Sequence, residues 1–370
     1  MNLTLPEMLA VQALHHGKDS RAAGDLVVPP IVPASVYFLP GEPAGPHQYG
    51  RWSNPTWTSL EESLAIIEDA ETVIFPSGMA AIASVLYGLL RSGDRVLLPS
   101  DGYYTTRAFA EKWLGPLGVV VETCTTRDQA TARLEGCRLV WIETPSNPGL
   151  ALCDLRAVAA RAHSLGAIVV ADNTTASPLG QRPLDLGADL LVSSDTKCVS
   201  GHSDNLLGHV SSRESALIAA IRDWRKLSGA IPGAFEAWLG YRGLESLEVR
   251  YDRMCTNAQA IAQRLAGHRA VVEVCYPGLA THPQRELAKA QMLRFGFLAG
   301  VTFRSRIAAE RFISECAFIR PATSFGGVQT SAERRARWGD QVAEGFVRLS
   351  FGVEPTEVLW SEMARTLDGL

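Results

Sequence analysis

The chain has little that marks a secreted, membrane-bound or nucleic-acid-binding protein. Its seven cysteines, Cys124, Cys137, Cys153, Cys198, Cys255, Cys275 and Cys316, are scattered, odd in number and free of any Cys-x-x-Cys spacing. They read as reduced thiols and argue against a disulfide framework or a zinc cage. Residues 1–18 lack a basic start followed by a continuous apolar block, so neither a secretory signal nor a spanning helix is expected, and the expected address is cytoplasmic. The net charge is only −4, with no long basic run to hold nucleic acid and no acidic tail. No Gly-x-Gly-x-x-Gly follows a strand and no Gly-Lys-Ser/Thr loop occurs, which removes the dinucleotide and nucleotide-phosphate signatures. His202, Asp204 and His209 match no usual ligand spacing, so no metal is expected.

What is present is the balance of a globular protein. A chain of 370 residues, 46% hydrophobic and 20% charged, has room for two or three domains with a substantial core. Residues 1–50 carry Pro29-Pro30, Pro33, Pro40, Pro43 and Pro46 and read as an extended arm. Its apolar run Val27 to Phe38 needs something to lie on. From Thr72 to about Val210, short apolar strands alternate with helical stretches, the pattern of a mainly parallel sheet covered on both faces. After Ile231-Pro-Gly233 a long helical pattern, Phe235 through Leu265, carries the chain into a smaller unit. The expected division is therefore 1–50, 51–233 and 234–370.

Several polar residues stand where polar residues are costly. Lys197 follows the apolar strand end Leu190 to Val192 and precedes a glycine-bearing turn, where function collects. A solvated loop lysine is the plain alternative. Ser194 and Thr196 stand just before Lys197, and two hydroxyls there can hold a phosphate beside the amine, as a pyridoxal phosphate Schiff base requires. Ser77-Gly78-Met79 opens a helix after the strand Thr72–Phe75 and forms an anion site, although a capped helix without a ligand looks the same locally. Tyr103 follows the strand Arg95–Leu98, where an aromatic can lie flat on a bound heterocycle. Asp172 ends the apolar strand Ile168–Ala171; a carboxylate there needs a partner, and a protonated pyridine nitrogen fits. Arg348, flanked by apolar residues, offers a planar fork suited to a carboxylate.

The motif Ser-x-Thr-Lys-x-x-x-Gly-His-Ser-Asp, with the elements around it, resembles the Cys/Met-metabolism family of pyridoxal phosphate enzymes. That group holds the cystathionine γ-synthases, cystathionine lyases and methionine γ-lyases, and the resemblance runs from about Tyr49 to Val353. It implies an α/β fold of the aspartate aminotransferase type (fold type I), with a mainly parallel seven-stranded sheet, an N-terminal arm and a smaller C-terminal α+β domain. Pyridoxal 5'-phosphate is the implied cofactor. Tyr49 and Arg51 would cross to the phosphate of a neighbouring subunit, joined there by Ser77, Gly78, Met79, Ser194 and Thr196. Asn147 would meet the ring oxygen, Asp172 the ring nitrogen and Tyr103 the ring face, with Lys197 and Tyr103 catalytic. Arg348, Ser324 and Asn147 would bind an amino-acid substrate. The arm and the crossing pair imply a homo-oligomer, a homotetramer built as a dimer of dimers, with no nucleic-acid or membrane partner.

The chain also departs from that pattern. It has Tyr103-Tyr104-Thr-Thr where the family has Tyr-Gly-Gly-Thr, Cys198 in place of a tyrosine, and Gln329 where many γ-enzymes carry glutamate. Ala332 to Trp338 replaces a histidine-bearing stretch and is similar to segments of bacterial cystathionine γ-lyase-like sequences. The implied reaction is γ-elimination of L-cystathionine to cysteine, 2-oxobutanoate and ammonia. The alternatives are β-elimination, γ-replacement on an acylated homoserine, or a non-catalytic binder; a binder would lack one of Lys197, Asp172 or Arg348, and all three are present.

Overall fold

A computed structural model describes residues 5–17 and 22–370. Its centre is a seven-stranded sheet made of β1 (Glu71–Phe75), β2 (Arg95–Pro99), β3 (Val120–Cys124), β4 (Cys137–Glu143), β5 (Ile168–Asp172), β6 (Leu190–Ser193) and β7 (Gly208–Ser212). The strand order is β1-β7-β6-β5-β4-β2-β3. The five strands from β6 to β3 run parallel, and β7 lies antiparallel to both β6 and β1. The inner strands read as unbroken apolar runs because helices cover both their faces. The register sets Glu143 of β4 directly beside Asp172 of β5. Two carboxylates thus meet at the carboxyl ends of the strands, where such sheets bind ligands.

The segment expected to be extended throughout begins with a helix, Leu5–Leu14, which buries Leu9, Ala10 and Ala13. Beyond it, residues 22–50 run through turns and bends without a strand, Val36 and Tyr49 meet in one antiparallel bridge, and Val27 is 80% and Phe38 91% exposed. Asn54 then caps the helix Pro55–Glu68, accepting from the Thr56 N–H, with proline at the first turn where no donor is lost.

A second sheet of five strands has the order β10-β11-β12-β9-β8. These are β8 (Val271–Cys275), β9 (Leu298–Phe303), β10 (Arg320–Pro321), β11 (Ser331–Arg334) and β12 (Phe346–Ser350). The helix Leu247–Ala266 joins the two cores. Leu247, Tyr251 and Met254 pack with the first, whereas Ala258, Ile261 and Leu265 pack under the second sheet. Each large apolar side chain so buried contributes about 1.5–3 kcal/mol, which fixes the second sheet over the strand ends of the first.

Candidate active site

A cavity of about 250 Å³ opens where the carboxyl ends of β4, β5 and β6 face Ser324, Phe325, Arg335 and Arg348. Lys197 reaches it from the turn after β6. The Lys197 N–H donates to Ser194 O at 3.1 Å, and the Gly201 N–H donates to Lys197 O at 2.8 Å. Gly201 has φ +74°, and a Cβ there would lie 1.9 Å from Arg250 Nη1. Only glycine fits on both counts. Buried Arg250 donates to Cys198 O at 2.7 Å and Val199 O at 3.0 Å, so the lysine turn rests on a guanidinium. Lys197 Nζ lies 5.3 Å from the centre of the Phe325 ring. Burial, and next Arg348, lower its pKa to about 8, against the opposing pull of Asp172.

Asp172 accepts from the Thr174 N–H at 3.0 Å, and burial raises its pKa despite that bond and the nearby Lys197. A cationic ring nitrogen is the partner that would offset the burial. Glu143 accepts from the Tyr103 N–H at 2.6 Å and the Asn147 N–H at 2.8 Å. Burial, then Asp172, push it up to about 8. In the sequence nothing sets Glu143 apart from an ordinary strand end. Here it anchors both loops that carry candidate ring contacts.

The helix Gly78–Leu89 starts at the same cavity. Ser77 caps it, its hydroxyl accepting from the Ala80 N–H at 3.1 Å, and the backbone N–H groups of the first turn have no acceptor within the helix. A Cβ on Gly78 would meet the Ser194 Cβ at 2.6 Å, so the helix start and the lysine turn touch only because residue 78 is glycine. Ser194 lines the cavity. The Thr196 hydroxyl exchanges bonds with the Leu207 backbone, donating to its O at 3.2 Å and accepting from its N–H at 3.1 Å.

Above the amine, Arg348 is held by three acceptors: Asn147 Oδ1 at 2.6 Å, Ser324 O at 3.0 Å and Glu333 Oε2 at 3.0 Å. Ser324 adopts a left-handed φ of 71°, costly for a non-glycine residue, and its carbonyl is one of those acceptors. Burial lowers Arg348 to about 10, with the Arg335 charge as the second cause.

Most of the residues expected from the sequence converge here: Gly78, Met79, Tyr103, Asn147, Asp172, Ser194, Lys197, Ser324 and Arg348 line the cavity. Tyr103 and Tyr104 both do, in an edge-on contact with centres 5.8 Å apart, and Tyr104 is 50% exposed. Tyr49 and Arg51 do not line it. Tyr49 is exposed, and Arg51 Nη1 donates to Lys226 O at 2.6 Å. Gln329 is exposed and absent from the cavity wall, whereas Arg335 of the divergent segment forms part of it. His209 is fully buried with Asp195 and Glu68, away from His202 and Asp204.

The residues present suit pyridoxal phosphate. They supply an amine, a buried carboxylate across the strand ends, a helix start with a neighbouring hydroxyl, and an aromatic wall. The profile of the Cys/Met metabolism PLP-dependent enzymes matches residues 10–368. A Streptomyces coelicolor relative named "Putative cystathionine gamma-lyase" is 46% identical over 96% of this chain and 93% of its own. An L-methionine gamma-lyase of Pseudomonas putida is 37% identical over 97% and 96%. Among solved structures, a cystathionine gamma synthase of Xanthomonas oryzae pv. oryzae in complex with cystathionine aligns with a TM-score of 0.93. It is 34% identical and covers 100% of this chain and 98% of that one.

Proposed function

The chain belongs to the Cys/Met metabolism PLP-dependent enzymes, and from that premise we propose that it cleaves L-cystathionine on the γ side, releasing cysteine, 2-oxobutanoate and ammonia. It is a pyridoxal phosphate-dependent carbon–sulfur lyase by family; the choice of substrate and bond is the proposal. The observation that carries it is the meeting of Lys197, Asp172 and Arg348 on one cavity. The name of the Streptomyces relative supports the γ-lyase reading.

When bound, the cofactor supplies an electron-poor ring that stabilises negative charge developing on the substrate carbons. We assign its aldehyde to Lys197, its ring nitrogen to Asp172, its phosphate to the Gly78–Met79 helix start and Ser194, and one ring face to Tyr103. Arg348 takes the substrate α-carboxylate in a bidentate grip, exchanging one of its present acceptors for it. With a pKa pulled to about 8, the Lys197 amine is a fitting base for the α-proton at Nζ near neutral pH. To the Tyr103 hydroxyl we assign delivery of a proton to the departing sulfur, since Tyr103 lines the same cavity. Glu143 keeps Tyr103 and Asn147 in position through their backbone N–H groups.

We further propose that the working assembly is a homotetramer, a dimer of dimers in the cytoplasm. Tyr49 and Arg51 stand off their own cavity, and the arm exposes Val27, Val36 and Phe38. Incubation with L-cystathionine is expected to give 2-oxobutanoate and cysteine. Pyruvate with homocysteine would move the reading to β-cleavage, and neither oxo acid nor thiol would remove it. The mass of the same preparation, as a multiple of 40.0 kDa, checks the assembly.

A further inference from the structure

Arg335 has no part in the chemistry assigned above, yet it is buried to 8% exposure and helps to line the cavity. Two carboxylates hold it still. Asp340 Oδ2 lies 2.7 Å from both Nε and Nη2, and Glu333 Oε2 accepts from Nη1 at 2.8 Å. The same Glu333 oxygen accepts from Arg348 Nη2 at 3.0 Å, so the two guanidinium groups flank one atom. Glu333 also accepts from Arg337 Nη2 at 3.0 Å and Trp338 Nε1 at 2.6 Å through its other oxygen. Glu333 and Asp340 set two negative charges against the three guanidinium groups of Arg335, Arg337 and Arg348, so this cluster keeps a net positive charge. A guanidinium has five N–H donors, and the three nitrogens of Arg335 leave donors over after Asp340 and Glu333 are served. Holding the fork rigid before a ligand arrives removes the entropy cost of ordering it.

We propose that Arg335 is a specificity-determining residue that binds a second carboxylate, at the far end of the substrate from the one held by Arg348. The site then selects amino acids whose γ-substituent ends in a carboxylate, cystathionine among them, over those ending in an apolar group such as methionine. This deepens the reading of the cavity as an amino-acid site, and it does not depend on which bond is cleaved. The shared contact with Glu333 places the two forks close together, and the 3-10 turn Arg335–Trp338 carries the second fork to the wall. Neither feature requires Gln329, which lies outside the wall.

The test uses two unreactive probes. L-α-aminosuberate separates its carboxylates by as many chain atoms as cystathionine does, and L-α-aminooctanoate has the same length without the second carboxylate. Calorimetric titration of the holoenzyme is expected to show aminosuberate binding at least about tenfold tighter, on the scale of one charge-assisted pair. Arg335→Gln is expected to erase that preference while leaving aminooctanoate within about twofold of its original affinity. Arg335→Lys, which keeps the charge without the fork, is expected to restore part of it. Equal affinities in the unaltered enzyme overturn the proposal. So does equal weakening of both probes by Arg335→Gln, which would assign Arg335 to the α-carboxylate or to the scaffold. A clear preference for aminosuberate in an enzyme that leaves cystathionine intact would defeat the γ-lyase reading and leave this one standing.

Discussion

Lys197→Ala is expected to lower kcat/KM for L-cystathionine by about 10⁴-fold or more, because one side chain is assigned two duties, attachment of the cofactor and removal of the α-proton. The effect should fall on kcat, since Arg348, Asn147 and Asp172 remain to bind substrate and cofactor. The fold should tolerate the change. Burial holds the Lys197 pKa near 8, below its ordinary 10.5, so between those values the folded protein binds fewer protons than the unfolded one. Stability contributed at this site therefore rises as pH climbs through that window, and at pH 7 the charged amine is a cost. The cofactor-free variant should melt no lower than the cofactor-free parent at pH 7. A variant that retains more than about a tenth of the activity would remove Lys197 from the mechanism.

The second large effect is on stability. His209→Gln is expected to cost about 3–5 kcal/mol at pH 7, because it leaves two buried carboxylates without their cation. His209 is fully buried; its Nδ1 lies 2.8 and 2.9 Å from the two Asp195 oxygens, and its Nε2 lies 3.4 Å from Glu68 Oε1. Burial alone would lower its pKa, but the charge and hydrogen bonds of Asp195, with the nearby charge of Glu68, outweigh burial and raise it to about 10. A group raised in the folded state contributes stability that is fully present below its ordinary value of about 6.5 and is lost as pH rises through about 10. Denaturant titrations should accordingly show the gap between variant and parent narrowing from about pH 6.5 to about pH 10 and levelling off above it. A gap below about 0.5 kcal/mol at pH 7 would mean that the imidazolium does not hold the carboxylates. The link to function is short: Asp195 O accepts from the Ser200 N–H at 2.9 Å, and Asp195 precedes Lys197 by two residues, so this ion pair steadies the turn that carries the amine.

Strand ends and glycine turns carry their message locally, which is why Lys197, Asp172 and the Ser77–Met79 helix start could be read from the sequence. A polar residue at the end of an apolar run is conspicuous. Other parts depend on contacts between distant segments. Glu143 gains its role only because β4 pairs with β5, bringing it against Asp172, and because residues 103 and 147 turn their backbones toward it. Glu333 and Arg335 sit in a segment whose sequence shows charge but not direction; the pairing of β11 with β12 sets Glu333 opposite Arg348. His209 fits no ligand spacing in the sequence, and it finds its partner only because β7 folds back antiparallel on β6 and sets it beside Asp195. The helix Leu5–Leu14 was hidden by the prolines that follow it, although its residues are good helix formers.

Every proposed step depends on the cofactor being held by one particular amine of this cavity, that of Lys197. Reduction of the purified holoenzyme with borohydride, digestion and mass mapping test it directly, since the chain has only five lysines, Lys18, Lys112, Lys197, Lys226 and Lys289. A phosphopyridoxyl group is expected on Lys197 alone. A label on any other lysine, or none on a protein supplied with the cofactor, would contradict it.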